Sequence, residues 1–232
     1  LEGSYMPCFL CGEGAARMMG QVLHVPVYQT SHQIGHILAA LYSAGQLSLL
    51  DRPFVAFHVS GGTTDCVLCE PKKNELLHIT PLSGSLDLKA GQAIDRVGVM
   101  LGLQFPCGVA LEQLALQSDR TFRYKPTMKG ADCCLSGLEN QCRKLYESGS
   151  TPADVAKLCL TAISAVLSEM TEAVLTGRDC PVLYAGGVMS DKLIQEALTG
   201  ENRYFAAPAF SCDNAAGTAL YAAICEEKFR ER

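Results

Sequence analysis

Tryptophan is absent from the 232 residues, charge is thin, and no basic run is longer than Lys72-Lys73. Only 19% of positions are Asp, Glu, Lys or Arg, below the roughly 25% usual for soluble domains. With 19 Lys+Arg against 24 Asp+Glu the formal net charge is −5, which excludes a strongly basic nucleic-acid module but leaves room for a local basic surface. Also missing is any stretch near the roughly 20 uninterrupted apolar residues that a membrane span needs, because Lys157 and Glu169 bracket the most apolar segment. No internal repeat or low-complexity tract is evident. Apolar residues make up 48% of the chain, ample for a buried core, so disorder is excluded. The length allows one large domain or two lobes.

Twelve cysteines would suggest disulfides in a small secreted chain, but here they sit in a mid-sized, core-rich sequence with no visible signal-peptide pattern. A reducing, cytoplasmic compartment is the expectation. Cys8-Phe-Leu-Cys11 and Cys66-Val-Leu-Cys69 have spacings that could hold zinc. The second pair lies in a strand-like run, where residues three apart face opposite sides, so buried inert thiols are the better reading.

Glu13 to Val22 reads as a helix and Pro26-Val27-Tyr28 as a short buried strand. Ser31 suits an N-cap, and Ile34, Ile37, Leu38 and Leu41 recur at helical spacing from His32 to Ser43. Pro53 to Val59 is apolar almost throughout and reads as a central strand. Val67 to Glu70 and Leu76 to Thr80 continue an antiparallel meander across the turn at 71–74. Helices are expected at 88–101 and 109–116, a loop or short hairpin at 118–135, and a long helix from Pro152 to about Leu175. Pro181 to Ala185 and Tyr204 to Ala207 read as strands, with helices at 190–198 and from about 214 to 229. The small residues Ala215, Ala216, Gly217, Ala219 and Ala222 of the last helix permit close packing. This order predicts an α/β fold whose mixed sheet carries helices on its faces.

Three places offer chemistry. Ser60-Gly-Gly-Thr-Thr-Asp65 lies between two strands, where glycines and hydroxyls suit a phosphate-binding turn, although Gly-Gly also suits a plain hairpin turn. Gly186-Gly187 ends a strand ahead of a helix, either as an anion site or as a tight connection. His32 and His36, spaced i, i+4, present both imidazoles from one helix face and can grip one metal ion, or can be two surface histidines. Gln33 stands where a zincin would carry its glutamate base, so peptidase chemistry lacks that group. Asp213, at the start of the last helix, is either a third ligand or a helix cap.

Together these segments resemble the TsaD family of tRNA threonylcarbamoyladenosine synthase subunits, which also carries the older name O-sialoglycoprotein endopeptidase, or glycoprotease. The resemblance rests, in order, on Ser31-His-Gln-Ile-Gly-His36, Val59-Ser-Gly-Gly-Thr-Thr64, Gly91-Gln-Ala-Ile-Asp95, Leu135-Ser-Gly-Leu138, Ala185-Gly-Gly-Val188 and Cys212-Asp-Asn-Ala-Ala216. It implies the actin-like ATPase, ribonuclease H-like fold. By position it makes His32, His36 and Asp213 ligands of one divalent ion, iron or zinc. Ser60, Gly61, Gly62, Thr63 and Thr64 then lie near the phosphate and carbamoyl end of an adenylate-type ligand, with Asp95, Gly108, Gly187 and Asp191 along the rest of it. The family usually has His, Glu, Asn and Gly where Thr63, Gln92, Asp191 and Cys107 stand, which marks a divergent member.

The implied activity is metal-dependent transfer of a threonylcarbamoyl group from an adenylate to N6 of adenosine in tRNA. The tRNA would be reached with TsaB- and TsaE-like partner subunits, with a homo-oligomer as a further option and no membrane. A kinase or ATPase of the same fold and a non-catalytic TsaB-like scaffold are the alternatives, and endopeptidase activity ranks last. The resemblance also divides the chain into a first-lobe remnant at 1–50, a second lobe at 51–210 and a returning helix at 211–232. Because the family's opening strand pair has no match after Leu1, the first lobe is expected to be incomplete and the chain, taken alone, inactive and self-associating.

Overall fold

In the computed structural model, residues 6–73, 75–211 and 215–229 are described. A five-stranded sheet organises them. Strand β1 (Phe54–Val59) lies at its centre, flanked by β2 (Thr64–Lys72) and β3 (Glu75–Gly84) on one side and by β6 (Val182–Ala185) and β7 (Arg203–Phe205) on the other. The β1–β2 and β2–β3 pairs are antiparallel, and the β1–β6 and β6–β7 pairs are parallel. A small second sheet pairs β4 (Thr127–Lys129) with β5 (Asp132–Cys134).

The two-residue period of a strand sorts β1 between two cores. Val55, Phe57 and Val59 join one apolar cluster, and Phe54 and Ala56 join the other. Cys66 and Cys69 of β2 divide the same way, as expected from their spacing. Burial raises both thiols, Cys69 to about 12 and Cys66 further still, which keeps them protonated and unreactive.

On the first face lie α3 (Ala90–Met100), α4 (Gly108–Ala115), α5 (Ser136–Glu147), α6 (Pro152–Leu175) and α7 (Lys192–Leu198). Helix α6 is the axis of this layer. By length and composition alone it would pass for a membrane span, contrary to the sequence reading, yet 56% of its most apolar window is buried inside the protein. Leu160, Ile163 and Leu167 fill the core there, each contributing about 1.5–3 kcal/mol by burial. Phe57, Tyr184 and Phe205 stack across three neighbouring strands, with centroids 5.3 and 5.0 Å apart, and the Tyr184 hydroxyl meets Thr171 of α6 at 2.8 Å.

On the second face, α2 (His32–Ser43) packs against α8 (Ala216–Phe229). Of the five small residues of the last helix only Gly217 is buried. A Cβ there would overlap the carbonyl of Gly35, so glycine sets how closely the histidine-bearing helix approaches.

Four expectations need correction. Helix α1 runs from Met6 to Leu23, several residues longer than 13–22. Pro26–Tyr28 is not a strand: Val25 and Val27 are 53% and 45% exposed, and among the described residues no partner strand meets them. Residues 136–147, left unassigned by the sequence, form a helix that buries only Leu138 and Cys142, too sparse a signal to fix the period. The segment expected at 190–198 starts as a short tight helical turn, Gly187–Ser190, before α7.

Candidate functional site

Serine 31 caps α2 by accepting the Ile34 N–H at its hydroxyl, at 3.2 Å. The helix then carries His32 and His36 on one face, their Nε2 atoms 3.0 Å apart and their rings edge to face. His58 of β1 follows the alternation of Phe54 and Ala56 and so reaches the same face, 4.8 Å from the His36 ring. These three imidazoles, with Thr63 and Asp65, line a cavity of about 200 Å³ whose floor is apolar (Ile37, Ala56, Val67, Leu183). The donor chemistry fits a metal ion: two nitrogens 3.0 Å apart would subtend roughly 90° at an ion bound through bonds of about 2.0–2.1 Å. Among the described residues no group of three or more His, Cys, Asp or Glu side chains is arranged to hold an ion. Asp213, the third expected ligand, lies outside the described residues.

The turn after β1 is tied by its own side chain. Ser60 Oγ accepts the N–H groups of Gly62 and Thr63, at 3.2 and 3.1 Å, and shares a hydrogen bond with the Thr63 hydroxyl. Those two donors are thus engaged inside the turn, and it is Gly61 that faces the second cavity. Thr64 is fully buried; its hydroxyl accepts the Ala90 N–H at the start of α3 and donates to Thr63 O. It therefore anchors α3 and lines neither cavity. Gly91 permits this closeness, since a Cβ there would lie 2.6 Å from Gly61 N, and its N–H donates to Ser60 O.

The second cavity, of about 270 Å³, gathers Gly61, Gly91, Asp95, Gly108, Glu112, Gly187 and Asp191. Asp95 accepts the Cys107 N–H at 2.8 Å, which fixes the approach to α4 and sets Gly108 opposite. Gly186 has φ +102°, and this turn brings Gly187 to the cavity wall. Asp191 caps α7 through the Ile194 N–H, and Glu112 of α4 accepts the Lys192 N–H. Of the residues expected at a site, Gly61, Asp95, Gly108, Gly187 and Asp191 thus share one cavity, and Thr63 joins His32 and His36 in the other. Ser60 and Gly62 line neither. Asp65, the carboxylate of the Ser60–Asp65 turn, lies at the histidine cavity. Gly91, Glu112 and His58 were not expected at a site; strand alternation would have signalled His58, whereas Glu112 meets Asp191 only through the fold.

Asp191 is 8% exposed. Burial, with the charge of Glu112 beside it, pushes its carboxyl up from 3.8 to about 6 against the hydrogen bond from Ile194. The folded protein therefore holds this proton more tightly than the unfolded chain. The stability this supplies is fully present below about pH 4 and is lost as pH rises through 6, by about 3 kcal/mol for a shift of about two units. Asn caps a helix as well as Asp does. Asp191→Asn should therefore be more stable than the parent by about 2–3 kcal/mol at pH 7.5 and equal to it near pH 4, as read by urea denaturation across that range. Parallel pH curves for the two proteins would refute the shift.

Residues 3–220 match the TsaD family model, described as tRNA N6-adenosine threonylcarbamoyltransferase. A curated relative of that name from Vesicomyosocius okutanii is 34% identical over 224 residues, covering 91% of this chain and 63% of the relative. Another, from Archaeoglobus fulgidus, is 29% identical over 193 residues, covering 83% and 57%. The chain thus spans about 60% of the length of these relatives. Among solved structures, T. kodakarensis HypF superposes with a TM-score of 0.67 at 12% identity, covering 94% of this chain and 39% of that one. A full-length HypF in the phosphate- and nucleotide-bound form gives 0.64 at 12% identity, covering 88% and 36%. At such identities the likeness concerns the fold, which is the actin-like ATPase, ribonuclease H-like α/β fold with its mixed sheet.

Proposed function

The chain belongs to the TsaD family of tRNA N6-adenosine threonylcarbamoyltransferases, and from that premise we propose that its two cavities form one transfer site. The threonylcarbamoyl group would pass from an adenylate to N6 of an adenosine in tRNA. One observation carries this reading: the turn Ser60–Asp65 is a wall common to both cavities, Gly61 facing one and Thr63 and Asp65 the other. A ligand with its ribose and phosphate in the glycine-lined cavity would thus project its acyl end toward the histidines.

Asp95, Glu112 and Asp191 supply carboxylate acceptors for ribose or adenine donors, while Gly61, Gly108 and Gly187 let backbone approach the ligand without a Cβ in the way. His32 and His36, with Asp213, would hold one iron or zinc ion. When bound, such an ion supplies Lewis-acid polarisation of a carbonyl. The imidazoles orient that end of the site, and the apolar floor around Ile37 and Val67 excludes water from it. With a net charge of −5, tRNA needs a local basic surface or TsaB- and TsaE-like partner subunits to dock. The buried thiols suit a reducing cytoplasm.

The test is to supply the full-length protein and its partner subunits with threonylcarbamoyl-adenylate and unmodified tRNA, and to digest the product to nucleosides. A threonylcarbamoyl mass increment on adenosine is the expected result. ATP turnover with no modified nucleoside would instead support the kinase reading and overturn this one.

A further inference from the structure

Four of the chain's 19 basic residues, Arg120, Arg123, Lys125 and Lys129, fall within ten positions, and no acidic residue occurs from 120 to 131. Burial alternates along the segment, of which Thr127–Lys129 is strand β4. Phe122, Tyr124, Pro126 and Met128 are half-buried, Tyr124 and Met128 against the larger core. Arg123, Lys125 and Lys129 are exposed. The alternate apolar residues face inward, which leaves Arg123, Lys125 and Lys129 facing outward along one edge. Arg120 is the exception: its guanidinium covers the Phe122 ring at 4.9 Å and pairs with Asp154 at 3.3 Å. Among the described residues, Arg123, Lys125 and Lys129 pair with no carboxylate, whereas Arg96 and Arg143 both pair with Glu139.

This edge is fixed to the site. Strand β5 of the same hairpin lends Asp132 to the Gly84 N–H at 2.8 Å and the Cys133 carbonyl to the Leu86 N–H at 2.9 Å. Asp87, next along, accepts the N–H groups of Leu88 and Leu135 at 2.6 and 2.7 Å. The chain then enters α3, whose first turn abuts Ser60 and Gly61. Hydrogen-bonded backbone thus links the cationic edge to the wall shared by both cavities.

We propose that Arg123, Lys125 and Lys129 form the surface that contacts the phosphate backbone of the RNA substrate. The inference rests on the tRNA reading above and adds where the RNA lies. Three cations on one edge neutralise phosphates without reading bases, so they position the RNA and set its salt dependence.

The measurement is equilibrium binding of an unmodified tRNA transcript to the full-length protein with its partner subunits, over a series of salt concentrations. The Arg123→Gln, Lys125→Gln, Lys129→Gln triple variant should bind about tenfold or more weakly near 0.1 M salt, with a slope of log K against log salt shallower by about 2–3, at roughly 0.7–0.9 per phosphate contact. Each single variant should shift the slope by about one contact, which keeps the test valid should the triple variant misfold. AMP binding, read separately, should be unchanged. If tRNA binds and the variants keep both affinity and slope, this surface is wrong while the tRNA reading stands. If the unaltered protein binds no tRNA, both fail. Binding to anionic phosphatidylserine vesicles that is lost in the triple variant, with tRNA binding intact, would assign the edge to a membrane and overturn the proposal.

Discussion

Gly186→Ala should cost about 3–5 kcal/mol of folding stability, while Gly187→Ala, one residue on, should cost less than about 0.5 kcal/mol. Gly186 sits at φ +102° and ψ 159°, a region open essentially to glycine alone and costing other residues about 1–3 kcal/mol. Its added Cβ would also overlap the carbonyl oxygen of Val59, pressing β6 off β1 where the two cavities meet. A methyl group added at Gly187 would meet open space, with nothing within 4 Å, and that space is the cavity. Gly187→Ala should therefore keep its unfolding midpoint and lose affinity for AMP. Against a total stability of about 5–15 kcal/mol, urea denaturation will separate the two variants readily. Equal stability would mean that the strand-end geometry around Gly186 is wrong.

The second large effect concerns the histidine pair. Full-length protein purified without a histidine tag should hold close to one iron or zinc per chain. His32→Gln and His36→Gln should each weaken that binding by about 100-fold or more, since removal of even an outer partner of a ligand costs 10–100-fold. Elemental analysis reads this without any assay of activity. Retention of the metal by the double variant would place the ion elsewhere.

How far the sequence carries can be judged from particular residues. The meander, the central strand, the long helix and the histidine pair follow from period and spacing, which are local. Thr64 shows the limit: it reads as a ligand-facing hydroxyl, yet it serves the N–H of Ala90, 26 residues away, a contact that only the fold creates. Ser60 likewise occupies the turn's own donors, a choice between two local geometries that composition leaves open. Asp191 and Glu112 come from α7 and α4, and their proximity, with its effect on the Asp191 carboxyl, has no signature in either segment. Val27 misled in the other direction, because an apolar residue in an exposed stretch looks like part of a buried strand until its surroundings are known.

The central claim is that the Ser60–Asp65 turn joins two cavities into one site, and a crystal structure of the full-length protein with AMP tests it most directly. The ribose should lie between Asp95 and Asp191, with the phosphate at Gly61 and directed past Thr63 toward His32 and His36. AMP bound away from the cavity of Gly61, Asp95, Gly108, Gly187 and Asp191, or seated there with its phosphate turned away from the histidines, would contradict it.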